Sequence, residues 1–347
     1  MDSAFRVVVD MTLVVYSFPR RVRLRPSDSF SYEFSGIASH RGVMQKLSFV
    51  VSLPNENDYQ REQAKAAEET AERLAADIRV LAADNDAVVQ SQQLLEVVQS
   101  KAALPDAILF EPLTATALAR VAEAAIAAGI AWVVLNCDVD YLPALRSRSR
   151  VPVFSVTRDH TDIGRIQGRQ FAALLPKGGT VLYIQGPATS SAAVQRTNGM
   201  ESTKSANIKL KTLRSPWTDE GAHEAVTSWL RLSTSRANTI DLIGCQYDGL
   251  AMGARKAFEQ HPDKSERDAW LRLPFTGIDG LPDQGQTWVD QGLLTATVMA
   301  GITTRMAVEL VSSALRGGAP PPERTVIEAQ SYPSLERLGE IGKRYKK

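Results

Sequence analysis

Cysteine and histidine are scarce in this 347-residue sequence, and net charge is almost absent. Two cysteines, Cys137 and Cys245, cannot build a disulfide framework. Both end apolar runs that read as strands in different halves, so no bridge between them is expected. Four scattered histidines lack any His/Cys metal-ligand spacing, and neither a metal nor another cofactor is expected. Forty basic residues against 39 acidic ones give a formal charge of +1, which argues against general nucleic-acid binding. No apolar stretch reaches the roughly 18 to 20 residues that a membrane span needs. Glycine-rich phosphate fingerprints are missing as well. The nearest segment, GLAMGAR at 249–255, lies in a helix candidate with the wrong spacing for dinucleotide or Walker patterns. Ser190 and Ser191 stand without a Gly-x-Ser-x-Gly elbow and read as helix caps. His160 and His223, near expected helix starts, read as surface or capping residues.

What is present points to a globular α/β chain. With 44% hydrophobic and 23% charged residues, the chain buries enough apolar surface to offset its ordering entropy. Its length suits two lobes of roughly 150 residues each. Residues 1–43 differ: six arginines, no lysine and no strand–helix rhythm. They read either as a disordered or loosely docked arm, or as translation from a start placed upstream of Met44. Asp10 interrupts the apolar run from Val7 to Phe18 and arginines follow it, so no cleavable export signal is expected in the sequence as given.

From Met44 onward strand and helix candidates alternate. LSFVVSL (47–53), IRVLAA (78–83), AILFEP (107–112) and AWVVLN (131–136) are separated by helix-favouring stretches. After the arginine-rich loop at 146–150 the rhythm resumes with VPVFSV, TVLYIQG, IKLKTL, TIDLIGC and LPFTGI. Such spacing implies doubly wound parallel sheets with right-handed crossovers, and continuously apolar runs imply strands covered on both faces. Sheets of this kind bind ligands beyond the carboxyl ends of their strands. Asn55, Glu56, Asp58, Tyr59, Asn136, Asp138, Trp217, Asp248 and Asp279 recur at those ends. Carboxylates and amides hydrogen-bond hydroxyl groups, while Tyr59 and Trp217 suit stacking on a sugar face. For any one of these residues, capping or turn formation is an equal alternative.

Five segments in order carry a resemblance: FVVSLPNENDYQ, RDHTDIGRIQGRQ, TVLYIQGPATSSAAVQRTNGM, CQYDGLAMGARKAF and FTGIDGLPDQGQ with GLLTATV after it. Across about Met44 to Tyr332 the chain resembles the type I periplasmic binding proteins, the ribose- and galactose-binding group that also supplies the effector domain of lactose-repressor-type regulators. The resemblance implies two Rossmann-like lobes joined by a three-strand hinge. It places residues 44–157 and 300–323 in the first lobe, 158–299 and 324–335 in the second, and 336–347 in a tail. Crossings are expected near Phe154–Asp159, Thr297–Gly301 and Pro322–Thr325. It implies a non-enzymatic monomer that closes on a sugar or similar polar solute and hands it to an ABC permease. The alternative is a sensory or regulatory module with a signalling partner; an enzyme ranks last. The family location is periplasmic, whereas the lack of an export signal would leave the chain in the cytoplasm.

Arg158, Tyr247 and Asp279 join the expected site through the family motifs. The sequence also departs from them. Asn136 and Cys137 replace the usual aspartate–arginine pair, Val194 an expected arginine, Tyr247 an asparagine and Ala300 a hinge glutamine. Loss of two guanidinium donors argues against a ribose-type pocket.

Overall fold

The computed structural model describes residues 22–24, 46–114, 116–232 and 239–344. Apart from Val22–Leu24, the expectations for the arginine-rich arm and its start lie outside these residues. A short strand β1 (Val22–Leu24) precedes β2 (Leu47–Leu53). Alternation then runs through α1 (Asp58–Arg73), β3 (Ala76–Ala82), α2 (Ala87–Val98), β4 (Ala107–Phe110), α3 (Ala119–Ala127), β5 (Ala131–Asn136), α4 (Leu142–Arg148) and β6 (Val153–Arg158). Next come α5 (His160–Leu174), β7 (Gly179–Gln185), α6 (Ser191–Glu201), β8 (Ile208–Arg214), α7 (Asp219–Leu230), β9 (Leu242–Cys245), α8 (Asp248–Glu259), α9 (Lys264–Leu271) and β10 (Phe275–Thr276). A π-helical turn (Pro282–Gln286) and α10 (Thr287–Asp290) lead into β11 (Thr297–Met299), α11 (Thr303–Leu315), β12 (Arg324–Ile327), β13 (Gln330–Tyr332) and α12 (Leu335–Arg344).

Two lobes result. The first is a parallel sheet in the order β1-β12-β6-β5-β4-β2-β3. Every residue of β4, β5 and β6 is buried, which is the continuous burial their apolar runs call for. The two-residue side-chain period splits each strand between two cores. Phe49, Val51, Leu109, Val133 and Leu135 pack with Ala307, Val308 and Val311 of α11. Val50, Ile108, Phe110, Trp132 and Val134 pack with Leu94 and Val97 of α2 and Val121 of α3. The second lobe centres on the parallel order β10-β9-β7-β8, with β11 and β13 forming an antiparallel pair beside it. Bridges at Thr276–Ala296 and Asp279–Met299 connect that pair to the loop after β10.

The chain passes between lobes after β6, between β11 and α11, and between β12 and β13. Two expected boundaries move. Strand Arg324–Ile327 pairs with Ser155–Arg158 in parallel and so belongs to the first lobe, because its apolar Val326 and Ile327 complete that sheet's flank. Residues 335–344 form a helix against α5, with Leu338 fully buried, where a tail was expected. Gly301 lies in the middle crossing at φ +76°, and a Cβ there would meet Ile327 at 2.5 Å. All three crossings lie beside the carboxyl ends of the strands, so those ends from both lobes face one another.

Trp132 is fully buried, with its ring centroid 4.5 Å from that of Phe110. Trp132→Ala is expected to lower unfolding stability by about 3–5 kcal/mol in urea titrations, the range for a large aromatic removed from a packed core. A loss under about 1 kcal/mol would show that this face of the sheet is not the close-packed layer described.

Candidate functional site

Local structure aims a set of polar side chains into the gap between the lobes. Pro54 ends β2, and Asn57 caps α1 by accepting from the Gln60 backbone N–H at 3.0 Å. The first two turns of that helix thereby bury Tyr59, Gln60 and Gln63. Tyr59 Oη donates to Asn136 Oδ1 at 3.0 Å, and Gln63 Nε2 donates to Tyr59 Oη at 2.7 Å. Glu111, one residue past β4, accepts from Gln60 Nε2 at 2.9 Å and from the Asn136 amide. Asn136 ends β5 in the left-handed region at φ +64°, a conformation asparagine tolerates better than most residues.

The centre of the site is an aspartate shared by two arginines. Arg158 Nη1, from the end of β6 in the first lobe, donates to Asp279 Oδ1 at 3.2 Å. Arg196 Nη2, from α6 in the second lobe, lies 3.7 Å from the same oxygen. All three side chains are 5% exposed. Each guanidinium also covers an aromatic ring: Arg158 sits 4.3 Å from the Tyr59 centroid and Arg196 5.6 Å from that of Trp217. Arg196 Nη1 donates to the Gln246 backbone carbonyl, and the Gln246 amide is itself fixed by Tyr183 Oη and the Ala193 carbonyl.

Asp279 has φ +117°, a region costly for a residue with a Cβ, and its neighbours hold it there. The Asp279 N–H donates to Val298 O, and Ala300 N–H donates to Asp279 O. Asp248 pins both sides: its N–H donates to Ile278 O at 2.8 Å, and its carboxylate accepts from Gly280 N–H at 2.8 Å and Thr297 Oγ1 at 2.7 Å. A Cβ on Gly277 or Gly285 would lie about 2 Å from that carboxylate, so glycine is required for it to turn inward.

Burial dominates the electrostatics. It raises the Asp279 carboxyl despite the opposing Arg158 and Arg196, and raises Glu111 despite hydrogen bonds from Gln60 and Asn136. Asp248 is pushed well up by burial and by Asp279. Burial lowers Arg196 to about 10, with Arg158 adding to the effect and Asp279 opposing it. Against its own burial, Arg158 is held above its ordinary value by Tyr59, Asp279 and Glu111. Burial, Arg196 and Arg158 together push His160 well below the usual histidine range.

Of the residues expected from sequence, Tyr59, Asn136, Arg158 and Asp279 meet directly in the gap. Trp217 joins through Arg196, and Tyr247, 6% exposed, lies within electrostatic reach of Asp279. Asn55 and Asp58 sit on the rim, bonded to Asn85 and Arg61 respectively, and the Glu56 side chain is exposed there. Two residues fall elsewhere. The Asp138 side chain is 56% exposed and pairs with Arg324 Nε at 2.8 Å, drawn outward by that cation. The Asp248 carboxylate is turned behind the Asp279 loop into space left by two glycines.

Gln60 and Glu111 fall in the strand-end stretches 54–60 and 111–114 where the sequence points to a site, without being singled out there, and Gln63, His160 and Arg196 were missed. His160 is neither a surface residue nor the cap: it is 5% exposed, its Nε2 lies 3.2 Å from Asn136 O, and Asp159 caps the helix. The guanidinium judged lost at Val194 is supplied two positions later. Two residues turn a helix by about 200°, so with Val194 47% exposed, Arg196 points inward.

Residues 48–319 match the family model described as a periplasmic binding protein domain. The chain belongs to that family. It is 26% identical over 263 residues to the ribose import binding protein RbsB of Escherichia coli, covering 76% of this chain and 81% of that one. It is 24% identical over 237 residues to the xylitol-binding protein of Mycolicibacterium smegmatis, spanning 68% of this chain and 62% of that relative's length. Among solved structures, an ABC transporter periplasmic solute-binding protein from Actinobacillus succinogenes with bound D-allose shares the fold. Its TM-score is 0.71 at 22% identity, covering 86% of this chain and all of that one. Among the described residues no helix is long and apolar enough to cross a membrane.

His160 makes this region sensitive to acid. Its folded-state pKa lies below that of the unfolded chain, so the unfolded chain takes up the proton first and stability is lost as pH falls through about 6.5. His160→Gln is expected to flatten the fall in urea midpoint between about pH 7.5 and about pH 5.5. An unchanged slope would place the titration elsewhere.

Proposed function

We propose that this protein is a solute-binding protein that captures a sugar or related polar small molecule between its lobes and delivers it to an ABC importer. The observation that carries this reading is the cluster at the facing strand ends. Hydrogen-bonding groups from both lobes, with Tyr59 and Trp217 beside them, converge on Asp279, where a hydroxylated guest would meet acceptors and donors on every side. The family supports it, and so do relatives named for xylitol and ribose and a similar fold holding D-allose. Nothing in the cluster is arranged as a nucleophile with its base. The ligand would be held and released unchanged, with lobe closure excluding water.

The two lobes come from one chain, so a monomer suffices for capture. The compartment that goes with delivery to an importer is the periplasm, checked by fractionating cells that make the native protein. The site is filled by its own side chains, since Arg158 lies over the Tyr59 ring and on Asp279. Ligand entry therefore displaces Arg158 from at least one of these partners.

A thermal-shift and calorimetry panel of pentoses, hexoses, polyols and their derivatives tests the reading. A bound compound at 100 times its dissociation constant is expected to add about 2.7 kcal/mol of stability. For a neutral sugar or polyol, Asp279→Ala is expected to weaken binding at least about 30-fold, equivalent to about 2 kcal/mol, because the hydroxyls lose a charged acceptor at the centre of the gap. Unchanged affinity would remove Asp279 from the site. Because Arg196 lies over Trp217, ligand binding is expected to change intrinsic fluorescence in wild type and not in Trp217→Phe. An equal change in both would separate Trp217 from the ligand.

A further inference from the structure

The gap between the lobes holds more guanidinium donors than its own acceptors satisfy. Arg158 and Arg196 face the single oxygen Asp279 Oδ1 at 3.2 and 3.7 Å. Arg196 also donates to the Gln246 backbone carbonyl, which carries no charge. A guanidinium offers five N–H donors in a fixed fork. The Nε atoms of both arginines are buried and have no acceptor among the described residues.

Other titratable groups around the cluster do not redress the balance. Glu111 is engaged by Gln60 and the Asn136 amide, and Asp248 by Gly280 and Thr297 on the far side of the loop. Burial moves both toward the neutral acid, as it does Asp279. It likewise keeps Tyr59 a phenol and His160 an uncharged imidazole. Neither Glu111 nor Asp248 hydrogen-bonds a guanidinium among the described residues, so two forks share one carboxylate oxygen in a place from which water is largely removed, where an unpartnered donor is costly.

We propose that the ligand is a sugar acid, a polyhydroxylated molecule of pentose or hexose size with one carboxylate, which lies between Arg158 and Arg196 while its hydroxyls face Asn136 and Glu111. This rests on the solute-capture reading and narrows it. A carboxylate matches the planar guanidinium fork and offers acceptors to the two buried Nε donors. A phosphate monoester presents tetrahedral oxygens in place of the flat pair that a carboxylate sets against the fork.

The test is calorimetry on the wild-type protein with matched pairs: D-gluconate against D-sorbitol, D-galacturonate against D-galactose, D-ribonate against D-ribose, with D-glucose 6-phosphate as a further arm. At least one acid is expected to bind at least about tenfold tighter than its neutral partner, the scale of one charge-assisted bidentate contact. Arg196→Gln, checked for native circular dichroism, is expected to erase that advantage while the neutral partner's affinity changes less. A neutral member binding as tightly as its acid in every pair overturns the sugar-acid assignment and leaves the capture reading standing. The phosphate ester binding tighter than every carboxylate overturns the carboxylate. No binding by any compound overturns both. The wild-type comparison decides the matter even where the variant fails to fold.

Discussion

A single carboxylate, that of Asp279, holds the centre of this molecule together. Arg158 reaches it from the end of a first-lobe strand and Arg196 from a second-lobe helix, and each arginine lies over an aromatic ring of its own lobe. Everything nearby is arranged to keep Asp279 where it is. Asp248 fastens the residues on either side of it, Gly277 and Gly285 make room for Asp248, and the bridge to Met299 continues into the crossing toward α11.

Such an arrangement is a poor way to gain stability. Removing charges from water costs several kcal/mol per ion, and an apolar cluster of equal volume is often as stable or more so. A left-handed aspartate adds about 1–3 kcal/mol of strain. Interiors of the two lobes carry no comparable feature: Phe49, Leu109, Val133, Leu182, Ile243 and their neighbours form ordinary apolar layers. Among the described residues, the buried charged side chains Arg158, Arg196, Asp248 and Asp279 gather where the lobes face each other, as expected for a surface shaped by a ligand rather than by folding.

The architecture was legible because fully covered strands leave long apolar runs. Residues 131–136 and 47–53 were readable at both ends, since nearly all of their residues are buried, and Pro54 and Asn136 mark the exits. The three- and four-residue strands near the end of the chain were harder. Arg324–Ile327 is too short to show a period, and its place beside β6 is decided by long-range pairing. In the site, Tyr59, Asn136, Arg158 and Asp279 were findable because a parallel sheet dictates where its ligands sit. Asp248 satisfied the same rule yet points away, because two glycines distant in sequence open a pocket behind it. Arg196 was overlooked by matching one motif position; the facing of α6, with Val194 outward, is the signal that identifies it. Glu111 joins Gln60 to Asn136, and Gln63 bonds Tyr59, Asn136, Thr303 and Thr304, a network that only the assembled lobe reveals.

Whether a guest occupies the space around Asp279, between the lobes, is the central claim, and amide hydrogen exchange reads it directly. With saturating amounts of the tightest ligand found, the account predicts slowed exchange in four stretches at once: 57–60, 136–139, 194–197 and 277–281, which belong to both lobes. Protection confined to one lobe, or lying away from these strand ends, would contradict it.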